Sequence, residues 1–216
     1  MNYDPILILD FDGTLVNTNE VKLRSFELVF PELPASKVRQ LVKTNNGNRY
    51  DIIKSIDNLV ELKNRVYKKR DRMDMYDLIS TIAVNSASEV SGATQFLKLA
   101  AKRGIDIYIS SATPNSVIFG LIKHRGWSNF FKGIYGSPAT KTSHITEIKN
   151  LTYKNSPDNQ LEKKFIYIGD SLSDYEATLS TDIEYFGIFI DEQVPEWAYE
   201  VKYSQNYVNI FKKLGL

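Results

Sequence analysis

The chain is predicted to be an α/β protein, a parallel sheet with helices on both faces, interrupted after its first strand by an all-helical insertion. Three observations lead there. The aliphatic run Ile6-Leu7-Ile8-Leu9 ends directly in Asp10-Phe11-Asp12-Gly13-Thr14, and a short apolar run bounded by a turn signal reads as a buried strand. From about residue 16 to 90 the apolar positions fit helices, with no convincing strand. Beyond Gly92, short apolar runs alternate with helical segments, which implies βαβ units and places the first strand in the same sheet as the later ones. The division that follows is a core of residues 1–15 and 91–216 and a helical domain of residues 16–90.

In order along the chain, Val21, Leu23, Phe26, Leu28, Val29 and Phe30 suit a helix over Asn19 to Phe30, closed by Pro31 and Pro34. Ser36 to Lys43 starts another, broken by the loop Thr44-Asn45-Asn46-Gly47-Asn48. Arg49 to Asn58, Leu59 to Arg72 and Tyr76 to Ser86 read as three more helices. The second carries the basic run Lys63, Arg65, Lys68, Lys69, Arg70 and Arg72, which reads as a solvated face balanced by Glu61, Asp71 and Asp74. Next comes a helix over Ala93 to Arg103, with Gly104 at the position for a left-handed cap. Strand Ile105 to Ser110, helix Pro114 to Arg125 and strand Phe130 to Tyr135 follow. Helix Thr142 to Tyr153, loop Lys154 to Lys164, strand Phe165 to Gly169, helix Asp174 to Ser180, strand Tyr185 to Ile190 and helix Asn206 to Leu214 complete the reading.

Composition narrows the function classes. The net charge of +1 offers no global field for nucleic acid or an anionic membrane. Cysteine is absent, which excludes disulfides, thiolate metal sites and a thiol nucleophile. The first apolar run follows only Met1 to Pro5, without a basic region or cleavage signal. No apolar stretch approaches the roughly 20 residues that span a bilayer. A cytoplasmic protein is expected, with a small molecule as its partner and an oligomeric state that the sequence leaves open.

Ligands of an open parallel sheet bind beyond the carboxyl ends of its strands, so the residues there carry the functional argument. Alternation aims Asp10 and Asp12 to the same side where the chain leaves the first strand. Crowded carboxylates repel and are costly to desolvate, so a fold keeps them where a cation or a reaction needs them; the pair points to a Mg²⁺ site. It also suits a polar strand end turning into a loop. After the second strand come Ser110-Ser111-Ala112-Thr113-Pro114, whose hydroxyls and following N–H groups suit a phosphate, although Ser111 also suits a helix cap. Lys141, beyond the third strand, suits neutralisation of a phosphate or an ordinary surface position. Asp170 and Asp174, beyond the fourth, suit metal ligation or a turn with a charge at a helix start. His124 and His144 show no ligand spacing and read as structural or surface residues.

Taken together, Asp10-Phe11-Asp12-Gly13-Thr14, Ser111, Lys141, and Gly169-Asp170-Ser171 with Asp174 resemble the four motifs of the haloacid dehalogenase superfamily, on its phosphatase side. The resemblance spans nearly the whole chain and implies a Rossmann-like core, with the helical insertion as a cap of the kind found in phosphoglycolate phosphatases and β-phosphoglucomutases. It implies hydrolysis of a small phosphorylated metabolite with Mg²⁺. Asp10 would be the nucleophile that forms an aspartyl-phosphate, and Asp12 the general acid and base. Lys141 would neutralise charge, while Ser111 and Ala112 would hold the phosphoryl group. Asp10, Asp12 through its carbonyl, Asp170 and Asp174 would make up the metal site, Asp174 by holding a water or Lys141. Related caps place a substrate-contacting Arg where Arg49 stands, a residue that also suits a helix terminus at the surface; Lys43, Asn45 and Asn46 are further cap candidates. Two departures matter. Asn17 stands where the family often has Asp, and Lys22 or a neighbour stands where its mutases carry a His. A phosphomutase and a non-catalytic binding protein are the alternatives; the intact carboxylates and Lys141 argue against the second.

Overall fold

The computed structural model describes residues 5–45, 48–61, 64–154, 163–190 and 194–216. Asn46 and Gly47 of the Asn-rich loop, Lys63 of the basic run and residues 155–162 of the predicted loop lie outside them. The chain divides into two compact units, residues 18–87 and residues 1–17 with 88–216.

The core unit is a parallel sheet built around β1 (Ile6–Leu9), whose four residues are all buried. A strand covered on both faces can be uniformly aliphatic. Its neighbours are β2 (Asp106–Pro114) and β4 (Phe165–Gly169), with Leu9 level with Ile109 on one side and Ile168 on the other. With β3 (Gly133–Ser137), β5 (Glu184–Ile188) and β6 (Tyr203–Ser204), the described strands take the order β3-β2-β1-β4-β5-β6. The chain leaves β1 in opposite directions, so the crevice at the switch point lies beyond its carboxyl end. Helices α5 (Ala93–Lys102), α6 (Asn115–His124), α7 (Lys141–Lys154), α8 (Leu172–Thr181) and α9 (Ile210–Leu214) belong to this unit. Ile145 and Ile148 of α7 pack with Ile6, Ile8, Phe165 and Tyr167. Each fully buried aliphatic side chain of this kind contributes about 1.5–3 kcal/mol.

The helical unit holds α1 (Asn19–Val29), α2 (Ala35–Lys43), α3 (Arg49–Asp57) and α4 (Lys69–Ser86). Phe26, Val29, Phe30, Val38, Ile53, Ile56 and Tyr76 form its core. Asn48 caps α3 by accepting from the Tyr50 and Asp51 N–H groups, and Asp51 answers by accepting from the Asn48 N–H. Bridges from Val16 to Asp12 and to Glu89, and a bond from the Asn17 N–H to the Ser88 carbonyl at 2.9 Å, keep these residues with the core unit.

Several sequence expectations are corrected. Among the described residues, the helix expected over Leu59 to Arg72 is α-helical only from Lys69; α3 ends at Asp57, and a single helix, α4, runs from Lys69 through the break expected before Tyr76. Leu59 and Val66 are exposed and Val60 is the buried residue that joins the core of the unit, so the apolar residues of that stretch do not share one face, while no Gly or Pro interrupts residues 69–86. Arg72 is not on a solvated face. It is completely buried, its Nε 3.0 Å from Asp57 and its Nη2 2.6 Å from Glu32, with the Val29 carbonyl accepting from Nη1. The third strand begins at Gly133, three residues late, because Ser128–Phe130 form a 3-10 turn. The last helix starts at Ile210, since Asn209 takes a left-handed φ of 59°, and the two residues of β6 are too few to leave a pattern.

Candidate functional site

Beyond β1 the chain turns at once: the Gly13 N–H donates to the Val16 carbonyl at 2.8 Å, with Gly13 at a φ of 77° that a side chain would oppose. This leaves Asp10 buried at the strand end and Asp12 half-buried two residues on. Lys141, the first residue of α7, places Nζ 3.4 Å from Asp10 Oδ2 and 2.5 Å from Asp174 Oδ1. The other oxygen of Asp174 accepts from the Ser171 N–H at 3.1 Å and from its hydroxyl at 2.5 Å, closing the capping box of α8. Asp174 is therefore a charge at a helix start that also holds the lysine. Gly169 is required for this, because a Cβ there would lie 2.5 Å from the Asp174 carboxyl carbon.

Asp170 follows β4 and its Oδ1 accepts from the Thr14 hydroxyl at 3.3 Å. Ser111 is buried and its Oγ accepts from the Thr113 N–H at 3.1 Å. It is not a helix cap: β2 runs on through the exposed Ala112 to Pro114, and α6 starts at Asn115 without a side-chain cap. The Thr113 hydroxyl donates to Asp12 Oδ2 at 2.7 Å. Sequence reasoning passed over Thr113; the run of hydroxyl residues around Ser111 was the available signal. Arg49 belongs to the helical unit, where its Nε lies 2.9 Å from Asp77 and its Nη2 donates to the Tyr50 hydroxyl at 2.9 Å. Asn17 is exposed; His124 is exposed at the end of α6, and His144 is buried.

The electrostatics are lopsided. Burial, together with the charges of Asp174, Asp170 and Asp12, raises the Asp10 carboxyl well above its ordinary range against the pull of Lys141. Burial works against the charge of Lys141, yet Asp10 and Asp174 raise its pKa all the same and keep it an ammonium. Oxygens of Asp10, Asp170 and Asp174 lie within 4.8 Å of one another, and Asp10 Oδ1 is buried with no hydrogen-bond partner. An orphaned carboxylate oxygen in an oxygen-only donor set suits a hard cation such as Mg²⁺. Asp12's carboxyl is not part of that triplet; it points to Thr113.

Carboxylates beyond β1 and β4, a lysine at the start of α7 and a buried serine in the last part of β2 are thus gathered at the switch point of a parallel sheet. The family model of haloacid dehalogenase-like hydrolases matches residues 7–188. The chain belongs to that family. A 2-hydroxy-3-keto-5-methylthiopentenyl-1-phosphate phosphatase of Lysinibacillus sphaericus is 26% identical over 201 residues, which cover 83% of this chain and 80% of that protein. Among solved structures, a candidate phosphatase from Clostridium difficile superposes with a TM-score of 0.75 at 17% identity, covering 100% of each chain. CbbY from Rhodobacter sphaeroides, solved in complex with phosphate, gives 0.69 at 17% identity, again covering 100% of each. These structural likenesses establish the fold that the chain shares with haloacid dehalogenase-like proteins. Among the described residues no helix is long and apolar enough to cross a membrane.

Proposed function

We propose that this haloacid dehalogenase-like hydrolase is a Mg²⁺-dependent phosphatase of small phosphomonoesters, acting in the cytoplasm. The observation that carries the reading is Asp10, a buried carboxylate with one oxygen facing Lys141 at 3.4 Å and the other without a partner. A phosphate ester repels an anionic nucleophile until its oxygens are neutralised. Lys141 supplies one positive charge there. Asp10, Asp170 and the Asp12 carbonyl would hold Mg²⁺, which supplies the remaining neutralisation when bound.

Asp10 attacks phosphorus in line and becomes an aspartyl-phosphate, while the bond to the leaving oxygen breaks and Asp12 gives that alkoxide its proton. Asp12 then takes a proton from the water that cleaves the acyl phosphate, which returns Asp10 and releases inorganic phosphate. The bond from Thr113 orients Asp12 for both steps. Ser111 and the backbone at Ala112 hold the transferring group. Asp174 acts by holding Lys141. We assign choice of substrate to the helical unit as a cap, with Arg49 as its candidate contact. To serve there, the Arg49 guanidinium must leave Asp77 and Tyr50.

A metabolite panel tests this, with sugar phosphates, phosphoglycolate and 2-hydroxy-3-keto-5-methylthiopentenyl-1-phosphate each incubated with Mg²⁺ and with excess chelator. Inorganic phosphate should appear with Mg²⁺, stop with chelator and resume when Mg²⁺ is restored. Undiminished turnover in chelator would overturn the metal, and positional isomers without free phosphate would make the protein a phosphomutase.

A further inference from the structure

Beneath the site runs a closed circuit of buried side chains. Lys141 holds Asp174 at 2.5 Å, and Asp174 lies beside the hydroxyl of Tyr167 on β4. That hydroxyl donates to the Ser110 carbonyl at 2.9 Å, and Ser110 Oγ lies 2.9 Å from His144 Nδ1. His144 sits three residues after Lys141 on α7, on the same face of the helix, which closes the ring. Tyr167, Ser110, His144 and Asp174 are all buried.

We propose that His144 is a positioning residue for Lys141, tied to the sheet through Ser110 so that the ammonium stands where Asp10 and an incoming phosphoryl group require it. Its kinetic consequences rest on the phosphatase reading above; the placement of the lysine does not. Lys141 opens α7, and the first turn of a helix lacks part of its own hydrogen bonding. It therefore depends on whatever anchors the next turn. Ile145 and Ile148 anchor α7 by apolar contact, which tolerates rotation and sliding; a hydrogen bond to Ser110 fixes direction. His144 is also an expensive choice for mere filling, because its Nε2 is buried without a partner whichever tautomer the ring adopts. An aliphatic residue would fill the space without that cost. The ring remains neutral. Burial first, and then the charge of Lys141, outweigh the Gly136 backbone and Glu147, which favour a proton, while the Tyr135 ring at 5.6 Å covers it from β3. Lys141 is thus spared a second cation in the adjacent turn of its helix.

The test uses His144→Phe, which fills the volume but cannot bond to Ser110, and His144→Asn, whose amide reaches the place of Nδ1. With p-nitrophenyl phosphate as substrate, His144→Phe should lower kcat by roughly 10²-fold, the usual scale for a displaced catalytic group, with a much smaller change in KM. His144→Asn should restore most of it. Equal impairment of the two variants, or a wild-type kcat in His144→Phe, overturns the proposal. If His144→Phe does not fold, Ser110→Ala removes the other end of the bond and should lower kcat in the same way; an unchanged kcat there overturns the proposal. A second readout needs no substrate. The ¹H–¹⁵N signal of the Lys141 ammonium, identified by its absence in Lys141→Met, should be visible at low temperature because Asp174 slows its exchange. It should be lost in His144→Phe and kept in His144→Asn. No signal in the wild type, or one indifferent to His144, overturns the proposal. A wild-type protein that hydrolyses no ester sinks the phosphatase reading alone and leaves the ammonium signal to decide the role of His144.

Discussion

In the helical unit, Arg72 and Arg65 meet Glu32 and Asp57, two guanidiniums for two carboxylates, with backbone carbonyls taking up further N–H groups. In the core unit, Asp10, Asp12, Asp170 and Asp174 gather beyond the strand ends, and Lys141 contacts two of them. Both clusters bury charge, so burial by itself does not mark function. The first is balanced in charge, guanidinium against carboxylate, although Arg65 Nε is left without a hydrogen-bond partner. The second is short of positive charge, leaves Asp10 Oδ1 without a partner, and pushes the Asp10 carboxyl upward. A fold keeps such an imbalance where a ligand completes it.

The strongest way to break this contrast is Asp10→Asn. An amide cannot form the acyl phosphate, so ester hydrolysis should fall below detection, while the melting temperature should hold or rise because a strained buried charge is gone. Residual turnover, or a melting temperature several degrees lower, would place Asp10 with the structural charges.

Next in size is Asp12→Ala. With an alkyl phosphate the leaving alkoxide needs a proton, and turnover should fall by roughly 10²- to 10⁴-fold. With p-nitrophenyl phosphate the leaving group needs none, so rapid mixing should show a burst of nitrophenol near one equivalent per enzyme, then a slow phase. Equal slowing of both esters without a burst would remove the acid and base role from Asp12.

Arg72→Met probes the other cluster. Deprived of the Arg72 guanidinium, with only Arg65 left on Asp57, Glu32 and Asp57 should cost the protein about 3–5 kcal/mol in urea unfolding. Replacing Arg72, Glu32 and Asp57 together by apolar residues should recover most of that loss. If the single and triple variants unfold alike, the cluster is not balanced in the sense used here.

Acid should separate the two regions most gently. Burial opposes the charge of Glu32, but hydrogen bonds from Arg72 and from the Val66 N–H hold its carboxyl at about 2, below an ordinary 4.5. Its contribution is therefore complete above pH 4.5 and is lost as pH falls from there toward about 2. Asp10 runs the opposite way: its carboxyl is raised, so taking up a proton relieves the core site. An acid titration followed by hydrogen exchange should show α3 and α4 losing protection before β1 and β4. The reverse order would contradict the contrast.

Much of this molecule was legible in its sequence because the signals were local. Ile6 to Leu9 read as a strand because a strand covered on both faces needs no polar alternation, and Asp10, Ser111, Lys141 and Asp170 could be set at the ends of successive strands by counting elements. The helical unit was harder. Residues 59–72 carry helix-forming residues at helical spacing, yet α3 ends before them at Asp57 and α4 starts only at Lys69, with Arg72 turned inward to Asp57 and Glu32. Nothing in a run of basic residues says which one will be swallowed.

The sequence by itself determined the class of fold, the order of the motifs and the side chains available for chemistry, since strand alternation, turn residues and the spacing of carboxylates act over a few positions. Only the tertiary structure decided which partners those side chains found. It seated Asp174 between Lys141 and Ser171 over a glycine, turned Thr113 toward Asp12, and joined His144 to Ser110. Each of these bonds joins elements whose approach is set by packing of the whole sheet, and hydrogen bonds die away within a fraction of an ångström, a precision that no pattern along the chain carries.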